Sequence, residues 1–262
     1  MEHIKMPISS NGALTVSSEP VDPEDSLRQW VARYNETEGN LKGYDCRICR
    51  NKGYISVLED GYEIHRECKC LKIRRCLRNI EQSGLSGALE RMTFERYRCE
   101  TPWQEQAKQT AQEYTRTPDS PWLYISGQSG AGKTHLCTAV CGVLLKRGVQ
   151  IQYTMWRDIC REMQSFQKRE DCFRKLMGWE ALYIDDFLKT SNPRKELDIA
   201  FEIINGRYAS GKRTILSSDI LLQELLRLDA ALAGRIRERC GNGTFVVQIS
   251  PDTGRNYRLT AR

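Results

Sequence analysis

The run Gly127-Gln128-Ser129-Gly130-Ala131-Gly132-Lys133-Thr134 meets every fixed position of G-x-x-x-x-G-K-[ST], and no other stretch of the 262 residues restricts the fold as tightly. Its three glycines let successive backbone N–H groups turn onto an anion with no Cβ in the way. The lysine ammonium offers a point charge to the β and γ phosphates of a nucleoside triphosphate, and the threonine hydroxyl can ligate Mg²⁺. With His135, these residues form the expected cradle for ATP or GTP. The flanks suit it. "PWLYISG" is a short apolar run, and "KTHLCTAVCGVLLKRG" sets Leu136, Ala139, Val140, Val143 and Leu144 on one helical stripe that stops at Gly148. A strand that delivers a helix N-terminus to the anion is the physical basis of such a site.

At 262 residues with 40% hydrophobic side chains, one or two domains with a substantial core are expected. No apolar run approaches a membrane span, and the N-terminus has no signal-peptide core, so the chain reads as cytoplasmic. Thiols stay reduced there, and eleven cysteines then call for metal binding or burial before disulfides.

Two further apolar runs belong with the phosphate loop. "ALYIDDF" is a buried-strand pattern that ends in two carboxylates and resembles a Walker B strand. That resemblance makes Asp185 the carboxylate that works with Thr134 on Mg²⁺, and Asp186 the general base that orients the attacking water. Glutamate is usual at the second position, and the shorter aspartate implies slow basal hydrolysis. "RTILSSD" is another strand, ending in hydroxyls. From the phosphate loop onward the order is strand "VQIQYTMW", helix "RDICREMQSFQK", strand "ALYIDDF", helix "KELDIAFEIINGRYASG" and strand "RTILSSD", then two short helices and strand "TFVVQIS". This alternation predicts an α/β fold, a parallel sheet with helices on both faces.

That order resembles the AAA+ core. The resemblance puts Ser218 at sensor 1, where the family more often has Asn or Thr, and Arg235 of "LAGRIRERC" at the arginine finger that reaches a neighbouring subunit's nucleotide, with Arg237 second to it. Only "PDTGRNYRLTAR" follows the last strand, so no C-terminal helical lid is expected. Lidless cores of this layout look like the DnaC/DnaI replicative helicase loaders and the transposition ATPase IstB, which "LSSDILLQEL", "LAGRIRERC" and the closing "NYR" also resemble.

Ahead of this core, Cys46-x2-Cys49 and Cys68-x-Cys70 bracket an eighteen-residue segment in which Ile55, Val57, Tyr62 and Ile64 flank Glu-Asp-Gly as two short strands about a turn. Two close cysteine pairs across a hairpin suit tetrahedral Zn²⁺, and a segment this small needs the metal for its folding energy. The four cysteines are the expected ligands, with His65 as a substitute. The other seven lack paired spacing; Cys137 and Cys141 sit on the inner stripe of the helix after the phosphate loop and read as core. A zinc ribbon ahead of a P-loop core resembles the loaders of Gram-positive bacteria and their phages. "LKIRRCLRNIEQSGLSGALERMTFERY" then looks like that family's linker, whose SGL turn and aromatic pair, Phe94 and Tyr97, approach the adenine end of the site. The expected domains are a flexible segment over 1–40 with a short helix at "SLRQWVARYNE", a zinc ribbon over 41–85 that binds the helicase, and the ATPase over 86–262.

The net charge of +6, with ten Lys/Arg against five Asp/Glu over residues 41–80, supports a nucleic-acid partner weakly, because a four-thiolate zinc site offsets part of that excess. "GRYASGKR" and "RIRER" are candidate backbone contacts, and there is neither a helix-turn-helix nor an aromatic stacking platform. The resemblance implies an ATPase that loads a hexameric replicative helicase onto single-stranded DNA and self-associates through its core. The alternative is an IstB-like ATPase that selects target DNA for a transposase, against which the ribbon argues. A small-molecule kinase would need an acceptor pocket and an arginine-rich lid, and no segment offers either.

Overall fold

The computed structural model describes residues 23–82, 86–118 and 121–252. The N-terminal residues 1–22, the SGL turn at 83–85 and the closing run at 253–262, "NYR" among it, lie outside the described residues. The described residues divide into two compact units, 23–41 with 45–68, and 42–44 with those from 69 to 252.

The first unit holds helix α1 (Pro23–Glu36) and strands β1 (Tyr54–Glu59) and β2 (Tyr62–Glu67), which pair antiparallel about Asp60-Gly61. Both turn residues have positive φ, 50° and 79°, the conformation a two-residue hairpin loop requires. The amide of Asn35 grips β1 as another strand would: its Nδ2 donates to Ser56 O at 2.8 Å, and its Oδ1 accepts from Ser56 N at 3.0 Å.

The second unit begins with helices α2 (Lys69–Gln82), α3 (Ser86–Arg91) and α4 (Pro102–Arg116). Then follow β3 (Leu123–Gly127), α5 (Lys133–Lys146), β4 (Ile151–Met155), α6 (Trp156–Met163), α7 (Arg169–Gly178) and β5 (Ala181–Asp185). After a 3₁₀ turn over Pro193–Glu196 come α8 (Leu197–Ala209), β6 (Arg213–Ser218), α9 (Leu222–Leu228), α10 (Ala230–Arg239) and β7 (Val246–Ile249). The five strands run parallel in the order β4-β5-β6-β3-β7. Every residue of β3, β5 and β6 is buried. Since strand side chains alternate, this requires cover on both faces, as the sequence predicts. Two differences from the sequence reading stand out. The helix expected over "RDICREMQSFQK" stops at Met163, and a second helix, α7, begins at Arg169. Helix α4 was not anticipated, because its buried face is Ala107, Ala111 and Tyr114 with the polar Gln104 and Thr115. Cys137 and Cys141 are buried on α5, as expected. Among the described residues no helix is long and apolar enough to cross a membrane.

One buried cation fastens the end of the sheet opposite the phosphate loop. Arg207 of α8 is 0% exposed; its Nε donates to Thr214 Oγ1 at 3.2 Å, and its guanidinium nitrogens donate to the carbonyls of Leu176, Trp179, Glu180 and Arg213. Burial lowers its pKa to about 10, so it stays charged at neutral pH, balanced by carbonyl dipoles. Lys212 assists by donating to Met177 O at 2.6 Å and Gly178 O at 3.2 Å, which caps the end of α7. Arg207→Met keeps the aliphatic bulk and strands these carbonyls. A loss of about 4 kcal/mol is expected from several buried acceptors left unpaired, read as a lower urea midpoint at unchanged slope.

Candidate functional site

The parallel register brings the carboxyl ends of three strands together. Ser126 of β3 lies beside Ser218 of β6, and Ile184 of β5 beside Leu216 of β6, so the phosphate loop, the end of β6 and the two carboxylates share one edge. Open α/β sheets bind ligands outside that edge.

The loop after β3 has the backbone the motif needs. Gly132 caps α5 with φ at 82°, and a Cβ there would meet Tyr97 Cε2 at 3.0 Å, so glycine is required both for conformation and for space. Lys133 is 6% exposed, and its Nζ donates to Gly127 O at 2.8 Å, Gln128 O at 2.9 Å and Asp219 Oδ1 at 2.7 Å. A pocket of about 370 Å³ opens here, lined by Ser129, Gly130, Gly132, Lys133, Thr134 and His135 of the loop and by Asp186 and Lys189 across it. Met92, Arg96, Tyr97 and Arg98 form its remaining wall. Tyr97 thus reaches the pocket, as the resemblance implied, whereas Phe94 is buried in a second, apolar cavity against α5. His135 ties the two walls together: its Nε2 lies 2.8 Å from Thr93 O, and its ring meets Tyr97 edge-on at 5.3 Å. Gln128 points outward, with its Nε2 donating to Asp252 O at 2.7 Å.

Asp185 ends β5, 5% exposed, among hydroxyls. Thr134 Oγ1 lies 3.2 and 3.4 Å from its two oxygens, Tyr183 OH donates to Oδ1 at 2.8 Å, Tyr153 OH is 3.4 Å from Oδ2, and Ser217 Oγ also donates to Oδ1. Burial, then Cys137 and Asp185, push the Tyr183 phenol well above its usual range, which keeps it a proton donor to the carboxylate. A threonine hydroxyl facing a carboxylate is a hard oxygen donor set that fits Mg²⁺. Asp186 follows with φ at 55°, its N–H donating to Ser217 Oγ at 3.0 Å and its carboxylate accepting from Lys189 Nζ at 3.1 Å.

The structure therefore brings Lys133, Thr134 and Asp186 to one pocket, with Asp185 buried beside it, 3.2 Å from the Thr134 hydroxyl. Ser218 is placed differently: its Oγ donates to Phe187 O at 2.8 Å and accepts from Ile220 N at 3.1 Å, and the hydroxyl that touches Asp185 belongs to Ser217. Arg235 lies on α10, where it donates to Ala231 O at 3.1 Å and stacks over Phe201 and Tyr208 at 4.9 and 5.8 Å, outside the pocket lining. Asp219 and Lys189 were missed in the sequence. Burial favours the neutral form of Asp219, but hydrogen bonds and charges of Lys133 and Lys189 outweigh it and lower the pKa. Lys189 Nζ reaches the other Asp219 oxygen at 3.2 Å, which leaves an alternating chain of Lys133, Asp219, Lys189 and Asp186. The only early sign of Asp219 was its place at the end of "RTILSSD".

The four-cysteine cluster is equally specific. The sulfurs of Cys46, Cys49, Cys68 and Cys70 are all buried and lie within 4.8 Å of one another, with Cys46 and Cys68 Sγ atoms 3.7 Å apart. Tetrahedral Zn–S bonds of about 2.3 Å imply sulfur–sulfur edges near ~3.8 Å. Gly53 N donates to Cys49 Sγ at 3.3 Å, and Arg50 and Asn51 take the left-handed conformation, with φ at 45° and 64°, that wraps the knuckle round the sulfurs. The donor set fits zinc. His65 is not in the cluster; it packs against Tyr34 and lies 3.7 Å from Glu63.

Comparison with known proteins agrees with this geometry. The phage-like element PBSX protein XkdC of Bacillus subtilis is 28% identical over 86% of this chain and 88% of its own length. The replicative helicase loader DnaC of Escherichia coli is 28% identical over 70% of this chain and 76% of its own. A solved structure of the replication initiator DnaA, bound to AMPPCP and single-stranded DNA, matches with a TM-score of 0.51 at 26% identity over 62% of this chain, which spans half the length of that structure. The fold is likewise that of DnaI, with a TM-score of 0.52 at 19% identity over 63% of this chain and 91% of that one. The model of the bacterial DnaA ATPase domain matches residues 89–243, more than half of the chain and all of the nucleotide-site strands. This ATP-binding AAA+ chain belongs to the bacterial DnaA ATPase domain family.

Proposed function

We propose that this chain is an ATPase of DNA replication initiation that places the hexameric replicative helicase on single-stranded DNA. The observation that carries the reading is how far each kind of relative is matched. The chain pairs with 76% of the length of the E. coli helicase loader, but with 28% of the DnaA initiator of Mycoplasma genitalium. The likeness to the initiator is therefore that of a shared ATPase core, and the likeness to the loader extends to most of that protein.

In this reading Lys133 holds the β and γ phosphates, Thr134 and Asp185 hold Mg²⁺, and Asp186 orients the attacking water. Arg235 acts across a subunit boundary when the core self-associates, and the zinc-bearing unit grips the helicase. In the same reading Phe166 is the candidate contact for single-stranded DNA. Phe166, between α6 and α7, is 98% exposed and is followed by Lys168 and Arg169. An uncovered aromatic ring beside cations suits base stacking without sequence preference. Phe166→Ala should weaken binding to a fluorescein-labelled oligothymidine on the order of 10-fold, the scale of one lost stacking contact, with nucleotide affinity unchanged.

Co-elution of the purified chain with its host's replicative helicase, in ATP and Mg²⁺, tests the whole reading. A stable complex supports it. ATP-dependent binding to duplex DNA without helicase binding would instead favour the transposition ATPase.

A further inference from the structure

The chain Lys133, Asp219, Lys189, Asp186 contains one cation that the P-loop motif does not require. Lys189 belongs to the turn after β5, and its backbone is firmly fixed. Phe187 and Leu188 are 0% and 1% exposed, Phe187 N donates to Ser217 O at 2.7 Å, Ser218 Oγ donates to Phe187 O at 2.8 Å, and Lys189 N donates to Asp186 O at 3.0 Å. Asp186 and Leu188 both have positive φ, 55° and 57°. Two non-glycine residues in the left-handed region within three positions cost conformational energy that the surrounding hydrogen bonds must offset. This backbone turns Lys189 back into the pocket wall.

The disposition of the two ammonium groups is the informative feature. Asp219 presents one oxygen to Lys133 at 2.7 Å and the other to Lys189 at 3.2 Å. Its carboxylate is thus an anion held between two lysines, the arrangement in which two oxygens of a phosphoryl group would be held. Lys133 is the motif's ligand for the β and γ phosphates, so an anion that takes the place of this carboxylate on Lys133 meets Lys189 with its next oxygen. Charge points the same way. At the loop end of the pocket Asp186 and Asp219 are ion-paired to Lys189 and Lys133, with Asp185 buried behind Thr134, while Arg96 and Arg98 belong to the remaining wall, so Lys189 offsets carboxylate charge next to Lys133. Burial opposes the charge on Lys189, but its hydrogen bond and attraction to Asp186, then to Asp219, hold its pKa above the usual lysine value, so it is fully charged at neutral pH.

We propose that Lys189 is a second phosphate-binding lysine of this site, which contacts the terminal phosphate of the bound nucleotide and so distinguishes the triphosphate from the diphosphate. The proposal rests on the nucleotide-site reading above. Asp219 is then the group that holds both lysines in place until the phosphate takes them over.

The test is titration of the full chain with the fluorescent analogues mant-ATP and mant-ADP in Mg²⁺, for the wild type, Lys189→Gln and Lys189→Arg. The glutamine variant should bind mant-ATP about 10-fold more weakly, the scale of one charge-assisted hydrogen bond, and mant-ADP within about 2-fold of wild type. Arginine should restore most of the triphosphate affinity, because it returns a charged donor. Equal weakening of both nucleotides would reveal a merely structural lysine and overturn the proposal, as would unchanged mant-ATP affinity in the glutamine variant. If the wild type binds neither nucleotide, the site reading itself fails and the proposal with it; if it binds both and the variants fail to separate them, only the role of Lys189 is lost.

Discussion

Lys133→Ala is expected to lower ATP affinity by at least ~100-fold, measured by isothermal titration calorimetry in Mg²⁺, because two effects act together. The substitution removes the buried ammonium that the loop carbonyls of Gly127 and Gln128 hold at the phosphate end. It also leaves the Asp219 carboxylate with Lys189 as its remaining ion-pair partner, so a negative group faces an incoming polyanion. Loss of attraction and added repulsion have the same sign. The far-ultraviolet circular dichroism spectrum should not change, since the aliphatic part of the side chain lies at the head of α5, whose buried stripe from Leu136 to Leu145 remains intact. Unchanged ATP affinity would refute the site.

The second large effect is expected from Cys46→Ser. Serine cannot replace a thiolate as a soft ligand, and three sulfurs hold zinc far more weakly than four. The first unit has few means of compensation. Its strands β1 and β2 are largely solvent-facing, with Tyr62 74% and Ile64 40% exposed, and Ser56 is their one fully buried position. Structural zinc contributes on the order of 10 kcal/mol to folding in domains of this kind, more than a hairpin and one helix can replace. Bound zinc should fall from about one per chain to near zero in a chromogenic metal-release assay, and tryptic cleavage within residues 23–68 should become rapid. ATP binding by the second unit should persist. Zinc content equal to wild type would remove Cys46 from the ligand set.

Much of this was legible because the relevant residues are neighbours in sequence. The phosphate loop, the paired carboxylates of "ALYIDDF" and the four cysteines are short motifs whose spacing states their chemistry, and the strands that flank them, β3 and β5, are short, largely apolar runs. What stayed hidden depends on three-dimensional placement. Asp219 meets Lys133 only because β6 inserts between β3 and β5, a strand order that no local pattern encodes. Whether Ser217 or Ser218 faces Asp185 is a matter of strand phase, and a shift of one residue exchanges the faces. Helix α4 buries alanines that give little hydrophobic contrast, and its start is fixed by Gln104 Oε1 accepting from the N–H groups of Glu100 and Thr101, both at 2.7 Å, a polar device with a weak sequence signal. Phe166 read as part of a continuous helix, whereas it occupies the break that exposes it.

The central claim is that ATP bound at this site is used to put a helicase on DNA. It is tested most directly by loading onto a single-stranded circle coated with single-stranded-DNA-binding protein, read as displacement of an annealed oligonucleotide by the host's replicative helicase. Displacement should require the chain, Mg²⁺ and ATP together, and should be lost with Lys133→Ala. Equal displacement with the wild type, with Lys133→Ala and with no added chain would contradict it.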